Sequence, residues 1–434
     1  MTSNRRTDRM RTATGAALAA AVLAVLAAQP VEATTPGTAE PGNPVDVTAP
    51  GTSSPAAPGP LNADVPPGPF DDSFYLPPPT PPQGQPGDII RWRPAFPGSN
   101  AANADAWQVM YLSTNAQGQR NTVIGTILVP KGVDAAKAHV VGFGPGTQGP
   151  AFKCAPSKAM ERGTLYDQPA VNDALSAGYA VALTDYEGYA PGEANKPTYI
   201  VGRSEGPALL DAVRAAQRLP QAGLSPDAKV ALQGYSQGGG AVMWAGEMQP
   251  DYAPELDLVG VAGGGVPADL NEVANGLDGY VGFGFLAFAA LGLDFSYPDL
   301  NLDSYLNETG RTDLADAREN DCVVELLTKY PFKKISDYTH TDPLATPEWQ
   351  QRLAENKLGQ GRINAPVFQY HATTDEIVNT PQAEALRETY CAKGMDVTWK
   401  TYPSDHLSGI FAGNGDAKQF LADRFAGEPT SPNC

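Results

Sequence analysis

Short apolar runs alternate with amphipathic stretches over most of the chain after residue 100. Residues 107–113 and 122–129 flank a polar, turn-rich segment and predict an antiparallel hairpin. Further buried strands are predicted at residues 139–144, 179–185, 230–233, 258–263, 367–370 and 397–402. Helices are predicted at residues 168–177, 205–219, 382–392 and 417–425. This alternation of strand and helix predicts an α/β fold with a mostly parallel sheet.

The spacing of the strands changes once, after residue 263. The next strand begins about 100 residues later, which is too far for a connecting loop. Helical patterns are present between the two strands, at residues 281–293, 315–329 and 347–357. We therefore predict an inserted, mainly helical cap at residues 269–362 and a core formed by residues 70–268 and 363–434.

Residues 281–293 of this cap, VGFGFLAFAALGL, are apolar on nearly every helical face. Such a helix is typical either of a buried core or of the lining of a site for an apolar substrate. Both interpretations stay open at this point.

The amino terminus predicts export from the cell. Arginines at positions 5, 6, 9 and 11 precede an apolar run over residues 13–28. Val31 and Ala33 are small residues at the positions that a signal peptidase recognises, so residues 1–33 are predicted to be a signal peptide. A transmembrane anchor is the alternative, but the run is shorter than the roughly 20 apolar residues that a bilayer needs. Residues 34–69 are dominated by Pro, Gly, Ala, Thr and Ser and predict a disordered linker. We expect a secreted, extracellular protein.

The chain is strongly acidic. Its formal net charge is −18, and removal of residues 1–33, which carry four arginines and two carboxylates, changes the charge to −20. Such a surface argues against nucleic acid and anionic membranes as partners. We expect a monomer that has no stable membrane insertion and acts on neutral or cationic material.

Four cysteines are present, and none has the CxxC spacing of a zinc site. In an exported protein they are expected to form two disulfides, for which three pairings are possible. We predict Cys154–Cys322, which would anchor the cap beside an early core loop, and Cys391–Cys434, which would hold the carboxyl-terminal tail against a core helix.

The most informative stretch is KVALQGYSQGGGAVM, at residues 229–243. A short apolar run leads into a glycine-rich turn that carries Ser236 and then into a helix, which is the pattern of a nucleophile elbow in an α/β-hydrolase fold. The same Gly-x-Ser-x-Gly pattern occurs around Ser204. The segment before Ser204 is too polar for a buried strand, so we interpret Ser204 as a helix N-cap.

A serine nucleophile needs a base and an orienting acid. His406 follows the strand at residues 397–402, and Asp375 follows the strand at residues 367–370. The order Ser236, Asp375, His406 is that of α/β-hydrolases. Rival residues of the same types are His139, His340, His371, Glu376 and Asp405. Asp405 is adjacent to His406, so it would struggle to reach the ring nitrogen that faces away from Ser236.

Five motifs make the chain resemble the secretory lipase family, the group around Candida-type lipase A. They are GYSQGG at residues 234–239, CAPS at 154–157, LLDAVRAAQ at 209–217, TTDEIV at 373–378 and SDHLSG at 404–409. The resemblance extends over residues 70–434. It implies a secreted carboxylic ester hydrolase, a lipase or esterase, with a large helical cap.

The resemblance also implies roles for single residues. Ser236 would be the nucleophile, His406 the general base and Asp375 its orienting acid. The oxyanion would be bound by the backbone N–H groups of Gln237 and Gln148. Thr147 is the alternative to Gln148, because this loop departs from the family pattern. The yeast enzymes have an acidic residue in it, whereas this chain has Gly-Thr-Gln-Gly.

Substrate is expected to be a small-molecule or lipid ester, such as an acylglycerol. Contacts with it are expected from Tyr235, Phe283, Phe285, Ala287 and Phe288. Ester hydrolysis by such a triad requires neither a metal nor an organic cofactor. An acyltransferase or a peptidase on the same fold is an alternative, as is a non-catalytic secreted binding protein.

Overall fold

A single twisted sheet organises the molecule. The computed structural model describes residues 65, 67–99, 101 and 103–434. The strands of the described part are β1 Ile89–Pro94, β2 Ala104–Thr114, β3 Arg120–Pro130, β4 Val140–Gly144, β5 Ala180–Thr184, β6 Val230–Tyr235, β7 Leu258–Gly264, β8 Val367–Ala372 and β9 Val397–Tyr402. They are arranged in the order β1-β2-β3-β5-β4-β6-β7-β8-β9. β1, β2 and β3 are antiparallel to their neighbours and the other strands run parallel, which confirms the predicted mostly parallel sheet.

Helices cover both faces of this sheet. In the described part they are α1 Pro156–Glu161, α2 Gln168–Ser176, α3 Gly202–Arg218, α4 Gln237–Tyr252, α5 Leu270–Leu277, α6 Phe283–Ser296, α7 Glu308–Asn320, α8 Val323–Lys329, α9 Ile335–Tyr338, α10 Pro347–Glu355, α11 Thr380–Ala392 and α12 His406–Ala426. Successive side chains of a strand point to opposite faces, so Val140 packs with α3 and α4 whereas Val141 packs with α2 and α12.

The cap lies between β7 and β8, as predicted, and contains α5 to α10. Its ends at residues 269 and 362 stay a prediction. The predicted signal peptide lies outside the described residues, as does most of the predicted linker. Among the residues that were described, no helix is both long and apolar enough to cross a membrane.

Some elements differ from the sequence predictions. β1 was missed, because two arginines and a proline interrupt its apolar pattern. The cap helix predicted at residues 315–329 is two helices, since Asp321 and Cys322 have extended backbones. The last helix begins at His406 rather than at residue 417, so His406 lies at a helix start and not in a loop.

The two disulfides join the pairs that the sequence predicts. Cys154, just after the loop that follows β4, is bonded to Cys322 between α7 and α8. Two backbone hydrogen bonds, from Ala151 N–H to the Asp321 carbonyl and from Val323 N–H to the Gln148 carbonyl, reinforce this junction. The loop after β4 is therefore joined to the cap. The second bridge connects Cys391 at the end of α11 with Cys434.

Candidate active site

The turn between β6 and α4 holds Ser236 in an unusual backbone conformation. Its φ is 57° and its ψ is −120°, in a region that residues other than glycine rarely adopt. A Cβ at Gly234 would lie 2.3 Å from the carbonyl oxygen of Gly238, and a Cβ at Gly238 would lie 1.9 Å from that of Gly144. These glycines let strand and helix approach closely enough for the sharp turn of a nucleophile elbow.

The structure brings Ser236, His406 and Asp375 into one line of hydrogen bonds. Nε2 of His406 lies 2.9 Å from Oγ of Ser236, and Nδ1 lies 2.7 Å from Oδ2 of Asp375. The other oxygen of Asp375 accepts the backbone N–H groups of Ile377 and Val378. These bonds hold the carboxylate toward the imidazole. The arrangement is that of a serine, its base and an orienting acid.

Burial and charge act in opposite directions on the pKa values of this pair. Burial on its own raises the pKa of Asp375, but the neighbouring His406 and His371 bring that pKa well below its usual range. Burial on its own lowers the pKa of His406, but the charge of Asp375 and the hydrogen bond to it raise that pKa above its ordinary value. An ionised Asp375 therefore favours a proton on His406, as a general base requires.

The rival carboxylates have other partners. Asp405 caps α12 and accepts the N–H of Ser408. Glu376 accepts the backbone N–H of His406, and burial raises its pKa. Neither side chain bonds to the imidazole in the described structure, whereas Asp375 does.

His371 was weighed as a rival base, but its position is a supporting one. The side chain is buried, and Nε2 lies 2.8 Å from the carbonyl oxygen of Val378 and 3.3 Å from Oδ2 of Asp375. It therefore helps to hold Asp375. The spacing of four residues between them at the end of a strand was the only sequence signal for this contact. Of the other two histidines, His139 stacks on Phe425, and His340 lies in the cap.

Ser204 lies inside the first turn of α3, so its interpretation as an N-cap is wrong; Val201 has that place. The hydroxyl of Ser204 is 2.9 Å from that of Thr198 and donates to the carboxylate of Glu187. Within the described residues, no histidine contacts Ser204 through a hydrogen bond. Ser236 is therefore the better candidate nucleophile.

A cavity of about 150 Å³ is bordered by Ser236 and His406 and extends into the cap. Most of its lining side chains are apolar and come from the cap, among them Leu270, Leu277, Leu286, Leu293, Leu302 and Trp349. Its mostly apolar lining suits a hydrocarbon chain.

Three of the five residues predicted to contact substrate line this cavity, namely Phe283, Phe285 and Ala287. The other two have different neighbours in the described structure. Tyr235 donates its hydroxyl hydrogen to the carbonyl oxygen of His406, and Phe288 stacks on Tyr199 with ring centroids 4.1 Å apart. Tyr235 and Phe288 therefore support the walls of the site and do not line the cavity.

Two segments offer N–H groups near Ser236. Gln237 is the first residue of α4, so its N–H has no acceptor within the helix. In the loop after β4, Thr147 lines the cavity with Ser236, whereas the side chain of Gln148 donates to the carbonyl oxygen of Gly146. The cavity lining thus includes Thr147 and not Gln148, and the choice between their N–H groups stays a prediction.

Polar side chains hold this loop, and sequence reasoning missed them. Asp167 accepts the N–H of Gly146, and Tyr166 donates to the carbonyl oxygen of Thr147. Burial raises the pKa of Asp167 to about 7, although the bond from Gly146 lowers it. The hydroxyl groups of Tyr199 and Thr147 are 2.9 Å apart.

Comparison with known proteins decides the family. The family model described as "Secretory lipase" matches residues 155–433. The "Secreted triacylglycerol lipase LIP1" of Malassezia furfur is 31% identical over 387 residues, which cover 84% of this chain and 77% of that protein. The chain belongs to the secretory lipase family. As a member of this family it is a serine ester hydrolase of the lipase and esterase class.

Solved structures agree with this assignment. Candida antarctica lipase A in its closed state is similar to this secretory lipase with a TM-score of 0.76 and 28% identity, and the match covers 84% of this chain and 88% of that one. The predicted α/β-hydrolase fold is confirmed. A "Probable inactive lipase MT1628" of Mycobacterium tuberculosis is 30% identical to this chain, and the match covers 83% of each.

Proposed function

We propose that this secretory lipase hydrolyses lipid esters, such as acylglycerols, through an acyl-enzyme formed on Ser236. One observation carries the proposal: the hydrogen-bonded line of Ser236, His406 and Asp375 borders a cavity whose lining is mostly apolar. The name of the Malassezia furfur relative supports the substrate class.

In the first half of the reaction, Nε2 of His406 takes the proton of Ser236 while Oγ attacks the ester carbonyl carbon. Ionised Asp375 stabilises the imidazolium, and the N–H groups of Gln237 and Thr147 stabilise the oxyanion. The tetrahedral intermediate then collapses. The bond to the alcohol oxygen breaks, and His406 returns its proton to the leaving alcohol.

In the second half, water attacks the acyl-enzyme. His406 takes a proton from the water as its oxygen bonds to the acyl carbon, and the bond to Ser236 breaks when Oγ regains a proton from His406. The carboxylic acid leaves and the enzyme is restored. Protons and atoms balance over the two halves without a metal or an organic cofactor.

The acyl chain is the part of the substrate that would occupy the cavity. Each buried methylene contributes about 0.8 kcal/mol to binding, so a chain of several carbons gains substantial affinity from this lining. The side chains of Phe283, Phe285 and Ala287, all on α6, would contact it.

We also propose that residues 1–33 are cleaved on export, so the secreted protein should begin at Thr34 on amino-terminal sequencing.

The decisive experiment is hydrolysis of p-nitrophenyl esters from acetate to palmitate, together with a triacylglycerol emulsion, by purified enzyme and by Ser236→Ala. We expect the wild type to cleave the series and the emulsion, and the variant to be inactive. A wild type that is folded and inert on every ester would contradict the proposal and favour a binding protein.

A further inference from the structure

Glu205 is a buried glutamate in the first turn of α3. Its Oε1 accepts a hydrogen bond from the side-chain amide of Gln237 at 2.6 Å and another from the backbone N–H of Ile200 at 2.9 Å. Gln237 directly follows Ser236, and Ile200 lines the cavity. One carboxyl oxygen thus connects the start of α4 to the cavity wall.

Each hydrogen bond of Glu205 reaches a segment with a rarely adopted backbone conformation. Ile200 has a φ of 64°, which is rare for a β-branched residue, and Gln237 follows Ser236 with its φ of 57°. Such conformations persist only where surrounding contacts hold them in place. Glu205 supplies one contact to each segment.

We propose that Glu205 is a positioning residue for ester hydrolysis, which holds the side chain of Gln237 so that the Gln237 N–H faces the oxyanion. The inference rests on the proposed function, because there Gln237 is an oxyanion donor. Without Glu205, the buried carboxamide of Gln237 would lose its acceptor, which is costly, and would rotate to seek another. That rotation would move the first residue of α4 and its N–H.

The protonation of Glu205 fits this role. Burial raises its pKa to about 8, although the hydrogen bonds from Gln237 and Ile200 lower it. A neutral carboxyl group near an oxyanion does not repel the charge that develops there. A glutamine at this position keeps an acceptor oxygen and the same shape, so it is the conservative variant.

The test compares Glu205→Gln and Glu205→Leu with a matched control, Glu247→Leu. Glu247 is also buried, and it accepts the N–H groups of Gly359 and Gly361, but it lies in the later part of α4. The measurements are the melting temperature and the kcat and KM for p-nitrophenyl butyrate. Each kcat is divided by the concentration of active sites, which is counted by complete labelling with a fluorophosphonate.

We expect Glu205→Leu to lower kcat by about 10- to 100-fold with little change in KM, because a displaced donor weakens transition-state binding rather than substrate binding. Affinity for a trifluoromethyl ketone, whose adduct carries the same oxyanion, should fall in parallel. Glu205→Gln should retain most of the kcat. Glu247→Leu should lower the melting temperature and leave kcat per labelled site unchanged.

Gln237→Leu removes the same hydrogen bond from its other end, and it keeps the test decisive if Glu205→Leu does not fold. It should reproduce the loss of kcat, and the double variant should lose less than the product of the single losses. An unchanged kcat in both single variants, or an equal loss in Glu247→Leu, would overturn the positioning role. If the wild type is active and Ser236→Ala is not, that failure leaves the proposed function intact.

Discussion

Nε2 of His406 lies 2.9 Å from Oγ of Ser236, although 170 positions separate the two residues in the chain. The sheet makes this possible, because β6, β8 and β9 run parallel and their carboxyl ends meet at one edge. Ser236 follows β6 and His406 follows β9. A base therefore reaches the candidate nucleophile.

Ser236→Ala should lower kcat by a factor of about 10³ to 10⁶, because nucleophilic attack is lost while binding remains. A fluorophosphonate probe should label the wild type and not this variant. Ser204→Ala is the matched control, since Ser204 stands in the same sequence pattern but has no hydrogen bond to a histidine among the described residues. Labelling that disappears in Ser204→Ala and persists in Ser236→Ala would reverse the assignment.

The pH dependence of kcat/KM should report the proton on His406. The base must be unprotonated, so activity rises with pH through the pKa of His406, and Asp375 raises that pKa above the usual value of about 6.5. Asp375→Asn removes the charge, so the midpoint should move to lower pH. In the same variant kcat should fall by about 10⁴, as it does when other triads lose this acid.

A midpoint that stays in place in Asp375→Asn would show that another group titrates. Glu376→Gln is the control, because Glu376 contacts the backbone of His406 and not its ring. Its midpoint should move less than that of Asp375→Asn.

The length of acyl chain that the enzyme accepts should depend on α6. Ala287 and Ala289 line the cavity, so a leucine at either position fills space that a long acyl chain would occupy. We expect the ratio of octanoate to butyrate turnover to fall in both variants. Ala315→Leu, at an exposed position of α7, is the control. An unchanged ratio accompanied only by lower stability would mean that the acyl chain binds elsewhere.

The two disulfides should differ in what their removal does. Replacing either pair by serine should cost about 2–4 kcal/mol in the free energy of unfolding. Loss of Cys154–Cys322 should in addition lower kcat, because that bridge joins the cap to the loop that carries Thr147. Loss of Cys391–Cys434 should leave kcat unchanged. Denaturant unfolding and p-nitrophenyl butyrate turnover measure the two effects; equal kcat losses would contradict this distinction.

The strands β4 and β6 were predictable because each is a short apolar run that is buried on both faces. The start of α12 was not predictable, since the glycines in its first part lower the helix propensity of the sequence. In the structure a Cβ at Gly409 would lie 2.3 Å from the hydroxyl of Tyr235, and a Cβ at Gly413 would lie 2.2 Å from the ring of Tyr370. Close packing against these tyrosines therefore requires glycine at both positions, and the sequence pattern does not reveal that packing.

The identity of the candidate nucleophile, base and acid was also predictable, because each follows a recognisable strand. The groups that hold them were not. Glu205 bonds to Gln237 from 32 positions away, and Asp167 bonds to Gly146 from 21 positions away. A buried carboxyl group looks like any surface carboxyl group in sequence, so such contacts require the folded chain.

The place of the cap in the chain determines when activity can arise during synthesis. Ser236 precedes the cap, and both Asp375 and His406 follow it. On the proposed mechanism, a nascent chain that carries Ser236 has no base until the cap has been made and the last parallel strand has joined the sheet. On the proposed function, a chain cut short before residue 406 should therefore be inert toward the lipid esters of the cell that produced it.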